Sequence, residues 1–324
     1  MECNVSVYTI TGGAGFIGSH LADAILAAGH HVRILDDFST GRMENLDPRC
    51  EVMRGDVCDP RVVRRALLGA SGCFHLAAIA SVVRANEDWL GTHRVNLGGT
   101  ITVLDVARAL GGLPVVYASS AAVYGRLDGV AEEGSPCAPL TAYGADKRGS
   151  ELHAAAGTLV HGVPTLGFRF FNVYGPRQDP DSPYSGVISI FAKAIAARQP
   201  VFVHGDGQQT RDLIFVADVV GHLVAGMHHI TEGKDHADSR SGLALNACTG
   251  RETSVMDMAT TLGALLGYPA QIRHGPARSG DIRRSLGNPA LATSVLGVSA
   301  GTTIRDGLTV TLEGLRGRAS LLHA

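Results

Sequence analysis

Ser120, Tyr143 and Lys147 are the residues of this 324-residue chain whose types and spacing best fit chemistry. Tyr143 and Lys147 stand four apart in a stretch with helical periodicity, so they share one face. An ammonium close to a phenol stabilises the phenolate and lowers its pKa from about 10 towards the working range. Ser120 lies just past a β-rich run, Val115 to Ala118, at the carboxyl edge of a sheet, where folds of this kind place ligands. Its hydroxyl can bond an oxygen that alternates between alcohol and ketone. Together the three form a proton-transfer site that calls for a hydride acceptor beside it. Taken singly they also fit a plain structural pairing, a buried tyrosine with a lysine stem laid along it.

The hydride acceptor has a site of its own near the N-terminus. Val5 to Ile10 is β-rich, Thr11-Gly12-Gly13-Ala14-Gly15-Phe16-Ile17-Gly18 follows, and Ile17, Leu21, Ile25 and Leu26 set a helical pattern that stops at Gly29. A strand, a glycine loop and a helix in that order form a dinucleotide-binding turn. Gly12 permits the tight turn, Gly15 the approach of a pyrophosphate, and Gly18 close helix packing. The helix N-terminus offers its amides to the phosphates. Asp36, 24 residues beyond Gly12 and at the end of the next strand, can accept both ribose hydroxyls and repels a 2′-phosphate. That favours NAD over NADP. An ordinary glycine turn and a simple turn-residue role for Asp36 are the alternatives. Asp56 and Val57, after a third strand, are candidates for the adenine.

Strands at Val32 to Leu35, Val52–Met53, Cys73 to Leu76, Val115 to Ala118 and Thr165 to Phe170 alternate with helices. The helices span Val62 to Leu68, Trp89 to Leu110 and Thr141 to Val160. This predicts an α/β fold, a Rossmann-type mostly parallel sheet flanked by helices. After Asn172 the rhythm changes. Residues 174 to 186 read as a loop and 231 to 242 as an exposed connection. Between and after them come helices near Ile188 to Ala197, Ala217 to His228 and Val255 to Leu266, and strands at Val201 to Val203 and Leu243 to Asn246. The expected division is a nucleotide-binding domain over 1–172, with some later segments returning to it, and a smaller mixed α/β substrate domain over 173–324.

Composition narrows the partners. A formal net charge of −2 gives no bulk reason to expect nucleic acid or an anionic membrane. No apolar run approaches the roughly 20 residues of a membrane span, and no signal-type segment opens the chain. The six cysteines, at 3, 50, 58, 73, 137 and 248, form no CxxC pair and read as reduced thiols of a cytoplasmic protein. Fourteen histidines without an HExxH give no case for a metal.

The ordered set TGGAGFIG at 11–18, HLAA at 75–78, SSAAVYG at 119–125, YGADK at 143–147, FFNVYGPRQ at 170–178, TRD at 210–212 and RSGD at 278–281 resembles the extended short-chain dehydrogenase/reductase family, in particular its nucleotide-sugar 4-epimerases. The resemblance spans nearly the whole chain. It implies retained NAD held by Gly12, Gly15, Phe16, Ile17, Gly18, Asp36, Asp37, Asp56, Val57, Ala77, Ala78 and Asn96, together with Tyr143 and Lys147. It implies a UDP-sugar whose contacts include Ser81, Ser120, Asn172, Val187, Val203, His204, Arg211, Arg278 and Asp281. Tyr143 would take the sugar 4-hydroxyl proton as hydride leaves C4 for NAD, and the 4-keto sugar would turn over and be reduced on its other face. Arginine forks such as Arg211 and Arg278 suit a diphosphate, although either could be a surface ion-pair residue.

Ala121 and Ala122 stand where a 4,6-dehydratase relative carries an Asp-Glu pair, and neither can move a proton. A glutamate of the decarboxylase type is also missing there. Epimerisation of UDP-glucose and UDP-galactose is therefore the leading reading. Ser285, four after Asp281, and the small Ala80 and Ser81 leave space for an acetamido group, so UDP-GlcNAc and UDP-GalNAc are further candidates. Arg177 keeps UDP-glucuronate 4-epimerisation open, unless it pairs with Asp179 or Asp181. Another NAD-linked nucleotide-sugar oxidoreductase and a non-catalytic NAD sensor complete the alternatives. The helices at 89–110 and 141–160 resemble those of a family dimer contact, which points to a homodimer.

Overall fold

The computed structural model describes residues 5–178, 187–231, 242–277 and 282–321. β1 (Val7–Thr11), α1 (Phe16–Ala27), β2 (His31–Asp36), β3 (Glu51–Arg54), α2 (Pro60–Leu67) and β4 (Gly72–His75) make the first half of a nucleotide-binding unit. α3 (Val82–Glu87), α4 (Trp89–His93), α5 (Gly99–Ala109), β5 (Val115–Ser120), α6 (Ala142–His161) and β6 (Thr165–Phe170) make the second. Then follow β7 (Asn172–Tyr174), α7 (Val187–Ala196), β8 (Val201–His204), β9 (Thr210–Phe215), α8 (Val216–Thr231) and β10 (Leu243–Ala247). The remaining elements are β11 (Glu252–Ser254), α9 (Val255–Leu266), β12 (Ile272–Gly275), β13 (Arg284–Ser285), α10 (Ala290–Leu296) and α11 (Ile304–Leu321).

Seven of these strands form one all-parallel sheet in the order β10-β6-β5-β4-β1-β2-β3. Alternation along the strands feeds two cores. Ile34, Phe74 and Val116 face one side, where Leu21, Ile25 and Leu26 of α1 and Val219, Leu223 and Met227 of α8 cover them. Leu35, Cys73, Val115 and Tyr117 face the other, under Val63 and Leu67 of α2, Val103 and Ala107 of α5 and Ala154 of α6. A sheet covered on both faces has near-continuous apolar strands, as this one does. β7, β11 and β13 pair with β9, and β8 pairs with β12. These small sheets share a third core, built on Tyr174, Phe191, Ile195, Val201, Met258, Leu262 and Leu308.

The parallel doubly covered sheet matches the expected fold class. Some elements differ. The helix expected over 89–110 is broken by a wider π turn at Arg94–Gly98, and α3 precedes it. Such a turn inserts one residue into the helix, and here the buried Asn96 lies within it. β7, β9, β11, β12, β13, α10 and α11 were not expected. Residues 179–186 of the expected loop and 232–241 of the expected connection lie outside the described residues. No helix among the described residues is long and apolar enough to cross a membrane, and no cluster of metal-ligating side chains occurs among them.

A buried polar chain ties the sheet's carboxyl edge to α5. Thr11 Oγ1 is 2.8 Å from His75 Nδ1, and His75 Nε2 is 3.0 Å from Thr100 Oγ1. Burial, helped by the Lys147 charge, pushes His75 down to about 3. The unfolded chain takes up this proton near pH 6.5, whereas the folded one does not until about 3. The contribution of His75 is therefore whole above pH 6.5 and is lost as pH falls, by about 1.4 kcal/mol per unit. Denaturant titrations between pH 6.5 and 4 are expected to show this one-proton slope in the native chain and to lack it in His75→Gln. Equal slopes would show that His75 is not the group responsible.

Candidate active site

The cofactor end begins at the close of β1. Gly12 has φ +69, and a Cβ there would sit 2.7 Å from the backbone of Ala77. A Cβ at Gly18 would overlap the Gly12 carbonyl oxygen, so α1 packs on the loop only with glycine there. Gly15 caps α1 in extended geometry without a side-chain bond. Only the Gly12 oxygen, at 3.2 Å, would touch a Cβ on it. The helix's amides thus meet the cleft uncovered, the environment a diphosphate needs. Asp36, buried at the end of β2, accepts the Ala14 N–H at 2.9 Å and the Phe38 N–H at 2.8 Å. Burial pushes its carboxyl up while these amides pull it back. Each oxygen keeps a further lone pair for a ribose hydroxyl. Asp37, Asp56, Val57, Ala77 and Ala78 complete this wall, with Phe16 and Ile17 at the start of α1.

The Ser120, Tyr143 and Lys147 end lies beyond β5. Ser120, its last residue, accepts the Ala122 N–H at 3.1 Å as a 3-10 turn begins. Thr141 caps α6 through the Gly144 N–H at 3.1 Å and so fixes Tyr143 in the first turn. Lys147 is buried, with Nζ donating to the Ala118 carbonyl at 2.8 Å and lying 5.9 Å from the Tyr143 ring centroid. Burial pushes Lys147 down to about 8. It pushes the Tyr143 phenol up, against a hydrogen bond with Ser120 that pulls it down. The expectation that Lys147 brings the phenol below its ordinary value is therefore corrected. The ammonium is tied to a carbonyl and stands by the ring, and the desolvation of the phenolate by burial prevails.

Beneath them, Glu151 continues the face of Tyr143 and Lys147. Ser119 Oγ donates to it at 2.6 Å, and Arg169 Nε and Nη2 at 2.8 and 2.9 Å. Burial pushes the Glu151 carboxyl up, but the Arg169 bonds and charge outweigh it and leave it below the ordinary range. Arg169 also donates to Tyr124 Oη at 2.9 Å, which in turn donates to Asn246 at 2.7 Å. β5, β6, α6 and β10 are thereby pinned under the reacting groups.

Both ends open into one cleft of about 1120 Å³. Asn172, Val203, His204 and Arg211 line it from the small sheets and Val187 from the start of α7. Arg211 donates to the carbonyls of Thr210 at 2.8 Å and Ile282 at 2.7 Å. A side cavity of about 260 Å³ joins Ser120, Ala121, Ala122, Tyr143, Asn172, Arg211 and Ser285.

The model of the NAD dependent epimerase/dehydratase family matches residues 8–238 of this chain. The chain belongs to that family. It is 35% identical over 318 residues to a UDP-glucose 4-epimerase of Mycolicibacterium smegmatis, covering 96% of this chain and 98% of the relative. Among solved structures, the UDP-glucose 4-epimerase of Thermotoga maritima with UDP-glucose aligns with a TM-score of 0.89 and 29% identity, covering 97% of this chain and 99% of that one. The UDP-glucose 4-epimerase of Thermus thermophilus in complex with NAD gives 0.86 and 30%, covering 96% and 99%. These findings bear out the resemblance carried by the motifs. The protein is an NAD-dependent isomerase of the epimerase/dehydratase family.

Within this epimerase/dehydratase frame, three of the residues singled out in the sequence do not line the cleft. Ser81 does not line either cavity; its hydroxyl accepts the Arg84 N–H at 3.1 Å and caps α3. Asn96 stands behind the cofactor wall rather than in it. It accepts from the Ile79 amide at 2.8 Å and donates to the Ile79 carbonyl at 3.2 Å, so it clamps the segment that carries Ala77 and Ala78. Arg177 donates to Asp23 of α1 at 2.7 Å and does not line the cleft. Asp179 and Asp181, the partners the sequence offered, lie outside the described residues, as do Arg278 and Asp281.

The cleft also takes Arg84, Gln178 and Gln209, which sequence reading missed, and Phe202, which belongs to the 201–205 stretch that the resemblance sets around sugar and uracil. Phe202 had a signal. In Val-Phe-Val-His the two valines are buried, so alternation places the phenylalanine on the open face. Arg84 had none, because its six-residue helix is too short for periodicity to show.

Proposed function

We propose that this NAD-dependent enzyme is a UDP-sugar 4-epimerase that interconverts UDP-glucose and UDP-galactose and admits their N-acetylated counterparts. The observation that carries the reading is the junction of the two cavities, where Ser120 and Tyr143 face both, and the next residues, Ala121 and Ala122, are without a proton to give. A carboxyl pair is needed there to eliminate water, so a ketone formed at C4 has hydride return as its exit.

In this reading Tyr143 takes the proton of the sugar 4-hydroxyl and returns it after the sugar has turned. Ser120 bonds the same oxygen as alcohol and as ketone, and Lys147 holds a positive charge behind the phenol. Bound NAD supplies the hydride acceptor and donor. Gly12, Gly15 and Gly18 with the amides of α1 hold its diphosphate, and Asp36 its adenosine ribose. Arg211 and Asn172 grip the substrate diphosphate, and Val187, Val203, His204 and the exposed Phe202 surround the uracil. The engagement of Arg177 by Asp23, away from the cleft lining, supports a neutral sugar over a uronate.

Separate incubation with UDP-glucose, UDP-GlcNAc and UDP-glucuronate, without added NAD and with C4 epimers resolved, tests this. Products are expected from the first two, and no epimer from any substrate would end the assignment. Ser285→Tyr fills the side cavity and is expected to lower UDP-GlcNAc turnover at least tenfold while sparing UDP-glucose. Equal losses for both would remove Ser285 as the residue that makes room.

We further propose a homodimer through α4, α5 and α6. Trp89 and Leu90 are 70% and 79% exposed, Leu159 is 85% exposed, and Ile101, Leu152 and Val160 are open on the same helices. Large apolar side chains left open along three packed helices support a contact surface there. Light scattering is expected to give twice 33.8 kDa, and a monomer at micromolar concentration would contradict it. The unpaired thiols of Cys50, Cys58, Cys73, Cys137 and Cys248 support a cytoplasmic setting.

A further inference from the structure

Arg84 stands on α3, on the connection that leaves β4, and its partly buried side chain lines the main cleft. The other cations of the cleft are engaged. Arg94 pairs with Asp56, Lys147 donates to the Ala118 carbonyl, and Arg211 to the carbonyls of Thr210 and Ile282. Among the described residues that line the cleft, Arg84 is the arginine whose guanidinium has neither a hydrogen-bond nor an ion-pair partner. Even Asp88, one turn along the chain, directs a carboxylate oxygen to the Gly91 N–H at 3.0 Å instead.

A guanidinium carries five donors in a fixed fork and accepts nothing. Set into the wall of a cleft and unmatched by the protein, it is complementary to a ligand with paired anionic oxygens. The topology says where those oxygens come. The sheet's winding reverses between β1 and β4, and ligands of such sheets lie across that point. The glycine loop and α1 stand on the β1 side. Ala77, within 2.7 Å of a Gly12 Cβ, and then Arg84 follow on the β4 side.

We propose that Arg84 is a diphosphate-binding residue, which closes on the dinucleotide's diphosphate from the side opposite the α1 amides. The UDP-sugar carries the same group and is the second source of this chemistry. That second source rests on the epimerase reading, whereas the first needs only NAD dependence.

Arg84→Ala and Arg84→Lys separate the possibilities. Neither side chain loses a partner in the protein, so both variants are expected to melt within a degree or two of the native chain. NAD per protomer after gel filtration, and calorimetric titration of the stripped proteins with NAD, adenosine and UDP, are then compared. Arg84→Ala is expected to bind NAD about tenfold more weakly, with adenosine unchanged and Arg84→Lys in between. A loss confined to UDP keeps Arg84 as a diphosphate residue and assigns it to the substrate. Unchanged NAD and UDP, or an equal loss for adenosine, overturns the proposal. Turnover of UDP-glucose by the native chain, measured in parallel, tests the epimerase reading without affecting the NAD result.

Discussion

Tyr143→Phe is expected to lower kcat for UDP-glucose by roughly 10²–10⁴-fold, the usual worth of a positioned acid–base group, and to leave NAD bound. The ring keeps its place on α6 because Thr141 caps that turn and Lys147 is held independently by the Ala118 carbonyl. What disappears is the hydroxyl that the site holds above its ordinary pKa, with the Ser120 bond opposing that shift. Only the phenolate can take the proton of the sugar hydroxyl, so the upward push of burial opposes that step and the Ser120 bond favours it. Cofactor content of the variant, read from NAD released on denaturation, is expected to equal that of the native chain. A variant within tenfold of native kcat would remove Tyr143 from the proton path. One that had lost its NAD would show the phenol to be a cofactor anchor instead.

Glu151→Ala is expected to be the most damaging single change to stability, at about 3–5 kcal/mol, because it leaves the buried Arg169 charge without its partner. That is a large share of the ~5–15 kcal/mol that keeps a domain folded. The surface pair Arg33–Glu51, also 2.8 Å long, is the control. Exposed pairs contribute about 0–1 kcal/mol, so Glu51→Gln is expected to shift the denaturant midpoint hardly at all. Pairing Glu151→Leu with Arg169→Met removes both charges and is expected to recover part of the loss. A Glu151→Ala midpoint indistinguishable from that of Glu51→Gln would mean that the charge under Ser120 is compensated in another way.

The glycine loop and the Ser120, Tyr143 and Lys147 set were legible because their signals are local. A strand, three glycines and a helix lie within a few turns of one another, and Tyr143 and Lys147 share one helix face. Asp212 shows why the substrate side was harder. In the sequence it is one charged residue of Thr-Arg-Asp and argues against a strand. In the fold it is fully buried in β9 and accepts the Thr249 and Gly250 amides at 2.8 and 2.9 Å and the Gly287 amide at 3.3 Å. Those donors lie some 37 to 75 residues further on, so no window of sequence contains them. α11 was hidden in another way, since Gly307, Gly314, Thr309 and Thr311 weaken its propensity and Leu308 and Leu312 compensate by packing. Ser81 and Asn96 have chemistry suited to a ligand, yet both spend their hydrogen bonds on backbone, which only the three-dimensional neighbours reveal.

The chain leaves the seven-stranded sheet after β6, builds β7, β8 and β9, and comes back as β10 before leaving again. The two sides of the cleft are consequently sewn together, rather than joined by one hinge. A fragment ending at residue 172 would present β6 as a bare edge over the five residue pairs that β10 normally covers, a template for pairing with another chain. It would also lack Asn246, the far end of the polar chain through Tyr124 and Arg169 to Glu151. Neither half is thus a portable module. A designer who wants to alter the sugar pocket would exchange single side chains such as Ser285 of β13 and leave the crossings intact.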